Sequence, residues 1–297
     1  MEYCPLGKSD LTISRIGFGT MSLEMDQLVS ERLLLEALDG GINFFDTADM
    51  YQQGRLETML GQSFRGRRDQ VILATKVGNQ WRPDGSGWDW NPSKKYLLSC
   101  IDQSLHRLQT DYIDLYQLHG GTMDDPIDEV IEAFESMKKS GKIRYYGISS
   151  IRPAVIREYV KRSHIISVMM QYSLLDRRPE EMFPFLKENQ VGVLARGTLA
   201  KGLLINKPPT SFLNHSAEEV QKAASAIKNI SSPKRKAAAT AIRFCLQDPA
   251  VQSAVVGIRT AEQLKYALDS MSADSLTDQE LSVLLNSTAV NYYDQHR

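Results

Sequence analysis

Residues 40–61 read Gly40-Gly41-Ile42-Asn43-Phe44-Phe45-Asp46-Thr47-Ala48-Asp49-Met50-Tyr51-Gln52-Gln53-Gly54-Arg55-Leu56-Glu57-Thr58-Met59-Leu60-Gly61. A glycine pair is followed by a short apolar run, 42–45, which suits a fully buried strand. Asp46 stands where that run ends. From Gly54 a helical period sets in, with Leu56, Met59, Leu60 and Phe64 on one face. Asp46 and Tyr51 lie between the two elements. If the strand belongs to a parallel α/β barrel, both residues sit on its catalytic rim. Taken alone, the stretch reads first as a polar loop that happens to hold one acid and one tyrosine.

Working outward, the same grammar repeats. Ser14 to Gly19 reads as a first barrel strand. Further strands fall near 42–45, 71–76, 112–118, 143–148, 165–170, 191–195 and 253–257, each followed by a helical pattern. Ser30 is expected to cap the first helix, closed by Gly40-Gly41. Asn91-Pro92, Asp125-Pro126 and Ser232-Pro233 read as further helix starts. Thr260 with Gln263, and Thr277 with Glu280, have capping-box spacing. A turn-rich opening, residues 4–12, predicts a hairpin ahead of the main fold. Eight strands alternating with helices predict one (β/α)8 TIM barrel over residues 1–297, with an N-terminal β-hairpin and an extra C-terminal helix at 277–286. No linker or composition shift suggests a second domain.

Composition narrows the function class. The chain has 297 residues and a net charge of -1, so electrostatics makes no case for nucleic acid or a membrane surface. The three cysteines, Cys4, Cys100 and Cys245, are scattered without metal-ligand spacing. Their isolation fits a reducing, cytoplasmic compartment. The first residues show neither a basic n-region nor an apolar h-region, so no signal peptide is expected. No apolar run approaches the length of a membrane span.

Two further strands end in titratable residues. Val71-Ile72-Leu73-Ala74-Thr75 runs into Lys76, and Tyr112-Ile113-Asp114-Leu115-Tyr116-Gln117-Leu118 runs into His119. Asp46, Tyr51, Lys76 and His119 thus follow three successive strands and form a proton-transfer set. With the Phe-Asp-Thr-Ala-x-x-Tyr segment, these motifs resemble the aldo-keto reductases, and bacterial members among them, over nearly the whole chain. The resemblance implies hydride transfer from a nicotinamide to an aldehyde or ketone. Tyr51 would supply the proton. A free tyrosine has a pKa of about 10, and Lys76 beside it would stabilise the phenolate. Asp46 would hold the lysine charged, and His119 would donate to the carbonyl oxygen. Each residue also has an ordinary reading, as a solvated strand end or a satisfied polar group.

The cofactor expectations also follow from the resemblance. Gly17-Phe18-Gly19 lacks the third glycine of a Rossmann turn, so the dinucleotide would lie across the barrel rim. Gly19, Thr20 and Met21 would lie near the nicotinamide, with Ser149, Ser150 and Gln171 at its carboxamide. Ser150 stands where the family usually has asparagine. Gly197, Leu199, Lys201 and Gly202 would also bind the cofactor. Arg196 occupies the slot of a tyrosine that stacks on the nicotinamide. Its guanidinium can stack in turn, which would favour the neutral, reduced ring, or it can turn toward the pyrophosphate or an acid. Gly257-Ile258-Arg259 enters a capped helix start, a ready anion site. Arg259 there would read a 2′-phosphate, which predicts NADPH. Gln263 would meet adenine or simply complete its capping box. The Lys234-Arg235-Lys236 run reads as a solvated helix start.

The substrate expectation is a small carbonyl compound. Trp81, Trp88 and Trp90, all the tryptophans of the chain, sit in a long loop after the third strand. At least one is expected to wall the pocket, because the loop after the fourth strand, 120–125, is short. The alternative is that they cover the loop's own underside. No metal ligand set is expected. Two other functions fit these residues: a dinucleotide-binding regulatory subunit of the same fold, and a barrel aldolase using Lys76 as a Schiff base. The second sits badly with Asp46, since a charged lysine is no nucleophile.

Overall fold

The computed structural model describes residues 1–293. Its first element is the expected hairpin, β1 (Tyr3–Pro5) and β2 (Thr12–Ser14), antiparallel. Eight parallel strands then close into a barrel: β3 (Ile16–Gly19), β4 (Phe44–Asp46), β5 (Ile72–Val77), β8 (Ile113–Leu118), β9 (Ile143–Ser149), β10 (Ser167–Gln171), β11 (Gly192–Arg196) and β12 (Val251–Gly257). Each expected strand is present, its ends moved by no more than about two residues. The intervening pair, β6 (Asn79–Trp81) and β7 (Trp88–Trp90), forms a second antiparallel ribbon. The tryptophan segment is therefore a hairpin rather than an irregular loop.

Strand alternation sorts the core into two compartments. Phe44, Ala74, Leu115, Met169, Leu194 and Val255 fill the barrel interior together with Leu6, Leu11 and Ile13 from the hairpin, which plugs the lower end. Gly17 makes room for this layer, since a Cβ there would stand 2.7 Å from Phe44. The alternate residues, among them Phe18, Phe45, Tyr116, Tyr146 and Val256, face outward against the helices. Phe45 packs between Phe18 and Phe64.

The helices are α1 (Gln27–Asp39), α2 (Arg55–Ser63), α3 (Lys94–Leu108), α4 (Ile127–Lys139), α5 (Pro153–Arg162), α6 (Phe183–Glu188), α7 (Ala217–Ile230), α8 (Ala237–Leu246), α9 (Ala261–Ser272) and α10 (Asp278–Leu285). Their starts correct several expectations. Asp26, not Ser30, caps α1, and Ser30 is buried with its hydroxyl on the Glu24 carbonyl. Ser93 caps α3, while Asn91 accepts from the Ser93 N–H and hydroxyl. Asp125 leaves the start of α4 to accept from the Thr122 N–H and hydroxyl and from the Trp90 indole. The alanine-rich α8 begins only at Ala237. The solvated reading of Arg235 fails, because its buried guanidinium holds the carbonyls of Ile230 and Ser275 and pairs with Glu280. Thr277 and Glu280 form the full capping box of α10. Thr260 caps α9, but the Gln263 side chain accepts from the Arg259 N–H instead of closing the box.

Candidate active site

Above the Phe44–Ala74–Leu115 layer, alternation brings the next inward residues to the rim: Asp46 on β4, Lys76 on β5 and Gln117 on β8. All three are buried. Lys76 Nζ donates to Asp46 Oδ2 at 2.6 Å and to the Thr47 carbonyl at 2.7 Å. The Gln117 amide donates to Asp46 Oδ1 at 3.4 Å. Burial pushes the lysine's pKa down, but Asp46 and Tyr51 together push it up, and the net direction is upward. The ammonium therefore stays charged in a nearly dry site. Gln117 was not anticipated. Its signal was a polar side chain two residues after the inward Leu115, at the rim end of β8.

Tyr51 lies over this pair, with Lys76 Nζ 5.2 Å from its ring centroid. The His119 ring meets it edge-on, centroids 5.8 Å apart and planes 78° apart. The structure thus brings Asp46, Tyr51, Lys76 and His119 into one cluster. Burial, then the cations Lys76 and Arg196, push the His119 pKa down to about 3. The imidazole is neutral at physiological pH. Its buried Nδ1 has no hydrogen-bond partner among the described residues. Asp49, on the Tyr51 loop, also carries a buried oxygen without a partner among the described residues. Burial first, then the nearby Glu57 carboxylate, raise its pKa well above the carboxylate range.

The expected cofactor residues form a continuous arc at the same level. Gly19 pairs with Asp46 on one side and Gly257 on the other, and Gln171 pairs with Arg196. Gly19 and Gly257 present bare backbone. Thr20 is buried and bonds the Asp46 carbonyl, whereas Met21 is exposed. Ser149 is half-buried. The Ser150 hydroxyl accepts from the Arg152 N–H at 3.2 Å. Arg196 donates to Gln171 Oε1 at 3.0 Å. Gln171 in turn donates to Asp176 at 2.9 Å, so both ends of that amide are engaged. After β11 the chain turns through Gly197 and Leu199 into three consecutive left-handed residues, Ala200, Lys201 and Gly202. Arg259 is exposed at the start of α9, and its guanidinium makes no hydrogen bond or ion pair among the described residues.

The three tryptophans separate. Trp81 is half-buried, its indole N–H donating to the Met50 carbonyl, one residue before Tyr51. Trp90 lies against Gly78 and Gly120, where added Cβ atoms would stand 2.6 and 3.2 Å from its ring. Trp88 is 48% exposed.

The family model "Aldo/keto reductase family" matches residues 15–285 of this sequence. The chain belongs to the aldo/keto reductase family. It is accordingly an oxidoreductase of a family that reduces carbonyl groups with nicotinamide cofactors. A Bacillus subtilis (strain 168) relative, the uncharacterized oxidoreductase YqkF, is 48% identical over 301 residues, covering 98% of each chain. The solved holo form of aldo-keto reductase AKR11C1 from Bacillus halodurans superposes with a TM-score of 0.95 at 47% identity, covering 100% of this chain and 99% of that one. A more distant family member, the NADH-specific methylglyoxal reductase of Escherichia coli (strain K12), is 33% identical over 225 residues, 69% of each chain. No helix among the described residues is long and apolar enough to cross a membrane.

Proposed function

We propose that this aldo-keto reductase reduces aldehydes and ketones to alcohols with NADPH, with Tyr51 as the proton donor. The observation that carries the reading is the buried Lys76 ammonium, fixed by Asp46 and lying 5.2 Å from the Tyr51 ring. When bound, the reduced nicotinamide supplies a hydride to the carbonyl carbon. Tyr51 delivers a proton to the carbonyl oxygen, and the fixed ammonium favours the phenolate left behind. Asp46 keeps that ammonium charged and Gln117 keeps Asp46 oriented. His119, held neutral by burial and the adjacent cations, offers an N–H to the substrate oxygen without adding charge.

The rim fits a dinucleotide. Gly19 and Gly257 leave a side-chain-free floor, and the start of α9 offers backbone N–H groups and the exposed Arg259 guanidinium. A planar fork at a helix start suits a phosphate monoester, which favours NADPH. Ser149 and Ser150 remain candidates for the carboxamide; Gln171 would have to exchange a partner to join them. Gly197, Leu199, Lys201 and Gly202 are proposed along the pyrophosphate.

Tyr51→Phe tests the reading. The ring stays and the acid goes, so aldehyde reduction should fall on the order of a hundredfold or more, while NADPH binding by fluorescence titration is nearly unchanged. Wild-type turnover in that variant would overturn the assignment.

A further inference from the structure

We infer that Glu57 and Arg107, paired with each other and anchored to β5 through Thr75, are positioning residues that set Tyr51 against Lys76; the inference rests on the reading of Tyr51 as the acid. The first observation is strand parity. Lys76 faces into the barrel, so Thr75 must face out toward α2. There its hydroxyl donates to Glu57 Oε1 at 2.7 Å. Glu57 is fully buried in the first turn of α2. Its other oxygen takes Arg107, from near the end of α3, at 2.7 Å to Nε and 2.6 Å to Nη2. A fully buried carboxylate survives only when its lone pairs are filled, and here the two fillers come from different elements.

The second observation is the backbone between Tyr51 and α2. Gln52, Gln53 and Gly54 are all left-handed, at φ 49°, 54° and +83°. Two non-glycine residues in that region carry backbone strain, which persists only where the surroundings over-determine the turn. Arg107 is the floor of that turn, since a Cβ on Gly54 would stand 2.6 Å from its Nε. From above, the Trp81 indole holds the Met50 carbonyl, and the Asp49 N–H donates to the carbonyl of Lys76 itself.

One buried carboxylate thus ties the strand that carries Lys76 to the guanidinium under the turn that aims Tyr51. Neither Glu57 nor Arg107 is placed in contact with substrate or cofactor here. Loosening them should displace the phenol rather than weaken binding, and a misplacement of about 1 Å can cost about a hundredfold in rate.

The test uses the full-length protein with NADPH and a panel of aldehydes. Thr75→Val keeps side-chain shape, and Arg107→Lys keeps charge without the fork. Both should lower kcat about tenfold or more. The aldehyde KM and the NADPH dissociation constant should stay within about twofold. The primary isotope effect on kcat, with nicotinamide deuterated at the transferred position, should rise as the chemical step becomes more limiting. Arg107→Met should lose more than Arg107→Lys. Stoichiometric NADPH titration normalises every rate to folded protein, so a folding defect cannot mimic the result. If Thr75→Val and Arg107→Lys bind NADPH and keep kcat and the isotope effect of the parent, while Tyr51→Phe is inactive, the positioning role is overturned and the proposed function stands. If Tyr51→Phe is active, both fall.

Discussion

Lys76 and Asp46 form an ion pair 2.6 Å long with both side chains almost wholly removed from solvent. Such a pair is stable only as a pair: removing one partner strands the other charge and costs about 3–5 kcal/mol. Asp46→Asn should therefore lower stability in urea titrations by that order. It should also let the Lys76 pKa fall, since the carboxylate is the foremost group raising it against burial. A variant as stable as the parent would show that the pair is solvated in solution.

Cofactor choice turns on Arg259. NADPH differs from NADH by one phosphate, and removal of a charged hydrogen-bond partner costs about 1.5–3 kcal/mol. Arg259→Ala should weaken NADPH by that amount and leave NADH nearly untouched, measured by fluorescence titration. Equal weakening of both would show that this guanidinium does not read the 2′-phosphate.

His119 makes a prediction about pH. Its folded pKa of about 3 lies below the ordinary 6.5. Between those values the unfolded chain takes up a proton that the folded site refuses. The stability linked to His119 is therefore complete above 6.5 and lost progressively as pH falls toward 3. Urea unfolding across that window should show a shallower loss in His119→Gln than in the parent. Parallel pH profiles would mean that the imidazole is protonated in the folded protein.

The tryptophans should differ from one another. Trp90→Ala removes the ring over Gly78 and Gly120 and the hydrogen bond to Asp125, at a cost of about 2 kcal/mol for a half-buried indole. Its Tm should drop furthest. Trp88→Ala should leave Tm near the parent's. If the hairpin walls the pocket, Trp81→Ala should raise KM for a bulky aromatic aldehyde more than for a small aliphatic one, since aromatic walls favour apolar substrates. An unchanged ratio of kcat/KM between the two aldehydes in all three variants would place the wall elsewhere.

The barrel was legible in the residues alone. Apolar runs of strand length alternating with helical periods have one economical closure, and burial of each run is a local, countable property. The sequence also put Asp46, Lys76 and His119 at strand ends, because the rim is where each apolar run gives way to polar residues. Which of those residues meet there depends on how the strands close around the barrel. Register and closure are non-local, so nothing near Gln171 in the chain shows that Arg196 will lie beside it and occupy its amide. Helix starts shifted for a related reason. Asp125 and Ser30 are both competent caps, but each found a partner outside its own helix start, in the Trp90 indole or the Glu24 carbonyl. Glu57 is the sharpest case. On a helix wheel it is a first-turn acid like any other. Only when β5 turns Thr75 outward and α3 brings Arg107 beneath Gly54 does its buried carboxylate join the two halves of the site.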